Sequence, residues 1–126
     1  MVIDNLGAQK YICVTTFRRD GTAVPTPVWQ VREGDHLLVI TDASSGKAKR
    51  IRNDGRVTVA ACDMRGRVSG VAHEARARLL DPDQTARVQQ LIEQKYGFMA
   101  KVIGWGERLR RRSAPSERVG IELTLM

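Results

Sequence analysis

A chain of 126 residues with 42% hydrophobic and 28% charged residues fits one domain with an ordinary core and an ordinary soluble surface. No apolar run approaches the ~20 residues that span a bilayer. Met1-Val2-Ile3-Asp4-Asn5 carries an early acid and no basic-then-apolar pattern, so a soluble cytoplasmic protein without a signal peptide is expected. The net charge of +7 points to an anionic partner: a phosphate, a polycarboxylate, nucleic acid or a membrane surface.

Residues 10–18 are rich in β-branched and aromatic side chains and predict a strand. Asp20-Gly21 marks a hairpin, and residues 22–32 form its second arm. Alternation places Val24, Thr26 and Val28 on one face of that arm and Pro25, Pro27 and Trp29 on the other. Prolines cannot donate to a ladder, so one edge of this strand must be open or bulged. Gly34-Asp35 turns the chain into a short apolar strand, His36 to Thr41. Asp42-Ala43-Ser44-Ser45 then offers capping side chains for a helix over Lys47–Asn53, ended by Gly55. In that helix Ala48 and Ile51 face the core, while Lys47, Lys49, Arg50 and Arg52 stay outside.

Residues 56–62 read as a strand, and residues 71–80 as an alternating one, with Val71, His73, Ala75, Ala77 and Leu79 on the apolar side. Asp81-Pro82 opens a longer helix with an apolar stripe of Val88, Leu91, Ile92 and Tyr96, closed by Gly97. Residues 98–115 mix Trp105 with glycines and the basic run Arg108 to Arg112. Arg118 to Leu125 is a last strand. Cys13 and Cys62 lie in apolar runs and read as buried free thiols. Six strands with flanking short helices predict a mainly β, antiparallel barrel as one domain over residues 1–126. So small a barrel fills its interior with side chains, so a large ligand binds outside it or between subunits.

Two segments could carry binding. Thr41 through Arg50 runs from a strand end, past Ser44, Ser45 and Gly46, into a basic helix start with Lys47 and Arg50. Free N–H groups and the helix dipole there suit an anion, although the spacing is not that of a P-loop. The same segment also reads as a capped, solvated surface helix. Pro27-Val28-Trp29 offers a flat apolar platform for a ring, or an edge strand with Trp29 in the core. His73 reads as an interior histidine and His36 as an exposed one. The arginine run could clamp an acidic ligand or form a solvated loop. No catalytic side chain stands out, and no metal site is expected. With two Trp, two Tyr and two Phe, the stacking platforms of a nucleic-acid-binding barrel are missing.

The hairpin Tyr11–Phe17 with Asp20-Gly21, then Pro25-Thr26-Pro27-Val28-Trp29, then Ser45-Gly46-Lys47-Ala48-Lys49-Arg50-Ile51-Arg52-Asn53 before Arg56-Val57-Thr58-Val59, resembles a known group. It is similar to the F420-dependent oxidoreductases of the pyridoxamine 5'-phosphate oxidase-like, FMN-binding split-barrel superfamily. F420 is a deazaflavin coenzyme. The resemblance covers roughly residues 8–97, and Gly55 departs from the proline common there. It implies a split-barrel homodimer with cofactor grooves between protomers. Pro27, Val28 and Trp29 would lie along the ring system. Thr41, Ser44, Ser45, Gly46, Lys47 and Arg50 would hold the phosphate end, with Trp105 reaching in from the partner. Hydride transfer from reduced F420 to a small acceptor is the implied chemistry, with FMN, or a non-catalytic haem binder, as alternatives.

Overall fold

The computed structural model describes residues 2–102 and 118–126, except for the side chains of 98–102. The elements are α1 (Val2–Gly7), β1 (Tyr11–Phe17), β2 (Ala23–Val28), β3 (Val31–Glu33), β4 (His36–Asp42), α2 (Gly46–Asn53), β5 (Arg56–Cys62), β6 (His73–Leu79), α3 (Pro82–Val102) and β7 (Arg118–Leu125). All strand pairings are antiparallel, in the order β2-β1-β5-β6-β7-β4-β3. β2 and β3 form the two edges of the sheet, yet only Trp29 and Gln30 separate them in the chain. Three Cα steps from Val28 to Val31 reach at most about 11 Å, so the sheet must curl until its edges nearly meet.

The concave side holds the main core. Ile12 and Val14 of β1, Leu37 and Val39 of β4, Val57 and Val59 of β5, and Ile121 and Leu123 of β7 alternate inward. Burying each such side chain contributes about 1.5–3 kcal/mol. Ile3 and Leu6 from α1 and Ile51 from α2 join this core. α3 covers the convex side of the sheet, where Trp29, Leu38, Leu80, Val88, Ile92 and Tyr96 form a second core. No helix among the described residues is long and apolar enough to cross a membrane. Cys13 and Cys62 are buried free thiols, and burial pushes the Cys62 thiol up to about 11.

Three expectations change. The sheet has seven strands rather than six, because the arm expected over residues 22–32 breaks at Trp29-Gln30. Both residues are drawn out of the ladder by tertiary partners. Trp29 stacks on Tyr96 with ring centroids 4.4 Å apart, and the Gln30 N–H donates to the Tyr96 hydroxyl at 3.2 Å. The late helix does not stop at Gly97 but runs on to Val102. An interior glycine costs a helix only about 1 kcal/mol, less than the packing of one side of α3 returns. β6 begins at His73, and Val71 lies outside it at 75% exposed. His73 is half-buried rather than enclosed.

Gly55 has a structural reason. A Cβ there would come within 2.9 Å of the Ala77 carbonyl, and the Gly55 carbonyl accepts the Ala77 N–H at 2.7 Å. The glycine lets β6 close against the end of α2.

Candidate functional site

The start of α2 is built from the end of β4. Asp42 Oδ1 accepts the backbone N–H of Ser44 at 2.9 Å and its hydroxyl at 2.7 Å, and the Asp42 carbonyl accepts the Ser45 N–H at 3.0 Å. This local turn ends the strand and sets Ser45 in extended conformation as the N-cap. Ser45 Oγ accepts the Ala48 N–H at 3.1 Å and lies 3.3 Å from Thr41 Oγ1. The cap uses one of the helix's free N–H groups and leaves the others at the start of α2 for an anion. The Ser44 hydroxyl proton is already committed to Asp42, so Ser44 shapes the turn.

Lys47 corrects the sequence reading. It is only 8% exposed, although it was expected on the surface. The helical period explains this: Lys47 stands one turn before Ile51, whose side chain enters the main core, and shares the stripe of Ile51 and Ala48. Burial, and secondarily the Arg50 charge, lowers its pKa to about 8. No carboxylate pairs with it among the described residues. A buried lysine without a counter-ion, in the first turn of a helix with free N–H groups, fits a phosphate or another oxyanion. Arg50 follows three residues on, about 60° round the helix from Lys47, near enough for its charge to act on the ammonium. Its Nε donates to the buried Thr16 hydroxyl at 2.6 Å, and its Nη1 lies 2.7 Å from where a Gly46 Cβ would be. A side chain at 46 would make this guanidinium shift from its place along the first turn.

The remaining expected residues do not form one surface with these. β2 is an edge strand with β1 as its single neighbour, as the two prolines require. Val28 packs against the main core, while Trp29 is 9% exposed in the second core under α3. Pro27 stays half-buried on the strand, and its ring lies 3.6 Å from the Cβ position of Gly66, whose φ is +83. The segment after β5 therefore folds onto Pro27. Trp105 and Arg108 to Arg112 lie outside the described residues.

Sequence reasoning missed two features. The first is a cleft of about 510 Å³ in which Gly46 and Arg50 meet Phe17, Arg18 and Arg19 from the β1–β2 hairpin, with Lys49 and Asn53 from α2. Its signal was the spacing of Gly46, Lys49, Arg50 and Asn53 along one helical face. The second is the seam that closes the curled sheet. Gln30 Nε2 donates to the carbonyls of Leu6, Gly7 and Gln9, and Lys95 Nζ donates to those of Gly7, Gln9 and Gln30. The Tyr96 hydroxyl lies 2.5 Å from the Lys10 carbonyl and 3.1 Å from that of Gln30. Nothing local in the sequence marks it.

A curled antiparallel sheet whose edge strands are consecutive in the chain, with helices packed on it, is a split β-barrel. The chain belongs to the pyridoxamine 5'-phosphate oxidase family, whose model matches residues 3–126. No curated protein matches the sequence. Among solved structures, it is similar to an F420 reductase at 18% identity, covering 98% of this chain and 92% of that one, with a TM-score of 0.66. It is also similar to the haem storage protein HutZ from Vibrio cholerae at 11% identity, covering 99% and 87%, with a TM-score of 0.66. An FAD-binding protein from Mesorhizobium loti follows at 16% identity, covering 96% and 84%, with a TM-score of 0.63. Identities this low establish the fold they share with the chain and nothing finer.

Proposed function

We propose that this chain is a cytoplasmic F420H2-dependent oxidoreductase that passes a hydride from the reduced deazaflavin to a small organic acceptor, working as a homodimer with the cofactor between subunits. The observation that carries the reading is the start of α2, where the buried Lys47 lacks a carboxylate partner among the described residues and sits in the first turn of a helix capped by Ser45, whose hydroxyl meets that of Thr41. Those groups suit the phosphate end of a flavin-type cofactor, and an F420 reductase shares the fold. Lys47 supplies charge, the free N–H groups of α2 supply directed donors, and Gly46 permits close approach. Pro27 on the edge strand is the part of the expected platform still open to a ring. When bound, the deazaflavin supplies the hydride, and the chain positions and shields it. That division of labour explains the lack of an evident catalytic side chain.

FMN is the second reading, because the same cradle serves its phosphate and a flavin-binding protein shares the fold. A haem binder is the third, supported by the haem storage protein of the same fold. Titration of the purified protein with F420 and FMN side by side tests them. Tighter F420 binding that Lys47→Met weakens at least tenfold supports the proposal. An as-isolated yellow FMN spectrum, or a Soret band, moves the assignment to the second or third reading.

A further inference from the structure

The cleft between the β1–β2 hairpin and α2 shares Gly46 and Arg50 with the site above, but its Arg18, Arg19 and Lys49 have no role assigned there. We propose that it is a second anion subsite, continuing from the start of α2 through Gly46 and Arg50 toward the hairpin, that takes a small ligand bearing two or more oxyanion charges. Four cations surround it. Arg18 and Arg19 come from the hairpin and Lys49 and Arg50 from α2, against one carboxylate, Asp54. Asp54 Oδ1 accepts the Arg56 N–H at 3.0 Å, and its single charge offsets one of the four cations at most. Among the described residues Arg18, Arg19 and Lys49 have no ion-pair partner.

The hairpin tip is held in place. The Arg18 carbonyl accepts the Gly21 N–H and the Arg18 N–H donates to Thr22, both at 2.9 Å, with Gly21 at φ +91. The Asp20 carboxylate accepts the Thr22 N–H at 2.9 Å, and the Thr22 hydroxyl together with that N–H holds its pKa below the ordinary value. Thr16 fixes Arg50 from the other side. Behind the cleft the positive field continues. The Arg56 guanidinium lies 4.9 Å from the centroid of the Phe17 ring. Arg56 is also directly opposite Arg76 in the β5–β6 register. Like charges placed opposite one another across a ladder are destabilising. A concave wall with one sign of charge focuses potential and recruits an oxyanion ligand. Its small volume suits a diphosphate or a polycarboxylate rather than an extended polymer.

The proposal stands on the cleft and not on the cofactor assigned above. Calorimetric titration of the full chain with inorganic pyrophosphate at low salt tests it. The expected result is a site whose affinity falls roughly tenfold or more in Arg18→Gln/Arg19→Gln and persists in Lys47→Met. The hairpin tip is exposed, so a thermal melt matching the parent's certifies that the variant is folded. Pyrophosphate binding that the arginine variant leaves unchanged overturns the proposal. So does arginine-dependent binding of a random single-stranded oligonucleotide that is tighter than that of pyrophosphate. Repeating the titration with F420 or FMN present identifies the natural source. Displacement assigns the cleft to the anionic end of that cofactor, and persistence assigns it to a separate anionic substrate. An arginine-dependent site in a protein that binds neither cofactor would sink the reductase reading and leave this one intact.

Discussion

A lysine whose pKa is pulled down by burial is costly to keep, and Lys47 shows what it costs. Its folded pKa of about 8 lies below the ordinary 10.5. Between those values the unfolded chain binds a proton that the folded chain has lost, so stability rises as pH climbs from about 8 to 10.5. At pH 7 the charged form is held against its preference, at a cost on the order of 3 kcal/mol. Lys47→Met should therefore raise the melting temperature at pH 7 by several degrees and remove the alkaline rise, while anion affinity drops. Melts at pH 7 and pH 10, paired with a cofactor titration, check both halves. A melting temperature that falls at pH 7 would show that the ammonium has a stabilising partner. Lys47→Glu is the poorer probe, because it buries a carboxylate near the core and confuses folding with binding.

The break between β2 and β3 exists because α3 reaches down to it. Tyr96→Phe removes the hydroxyl that meets the Lys10 carbonyl and the Gln30 N–H, while Lys95 still serves the Gln30 carbonyl. The buried Gln30 N–H and the partly buried Lys10 carbonyl lose a partner, for an expected loss of about 1–3 kcal/mol. Urea unfolding should show a lower midpoint at unchanged slope. Burial raises the Tyr96 hydroxyl's pKa to about 12, so it acts as a neutral donor throughout that range. Gly97 offers the opposite test. It lies inside α3, and nothing occupies the space within 4 Å of its Cβ position. Gly97→Ala should stabilise the protein by about 0.5–1 kcal/mol, read in the same experiment. A destabilised variant would place the end of the helix at Gly97 after all.

The curled sheet has its inside filled by Leu37, Val39, Val57, Val59, Ile121 and their neighbours, which leaves no room there for a ring cofactor. This is the physical basis for placing the cofactor between two subunits. The connection from β5 to β6 exposes Met64 (69%), Val68 (54%) and Val71, beside the Pro27 edge. Exposed apolar groups collected in one segment suit a partner surface. Sedimentation at micromolar concentration should give a dimer, and Met64→Glu/Val71→Glu should shift it toward monomer with weaker cofactor binding. A monomeric parent that binds F420 at full affinity would remove the shared groove.

Local chemistry made most of this protein legible in its sequence. The Asp20-Gly21 turn, the alternation of β4 and β7, the Ser45 cap and the proline-marked edge all follow from φ preferences, side-chain period and missing donors within a few residues. The family motif lay in the same short stretches. Tertiary structure decided what depends on distant partners. Tyr96 broke one strand into two, Ile51 carried Lys47 inward, and the hairpin tip met α2 to form a basic cleft. The strand break and the cleft rest on contacts between residues tens of positions apart, and Lys47 turns inward because Ile51, one turn on, meets distant strands in the main core. A periodic pattern tells which face of an element is apolar, but not what that face will meet.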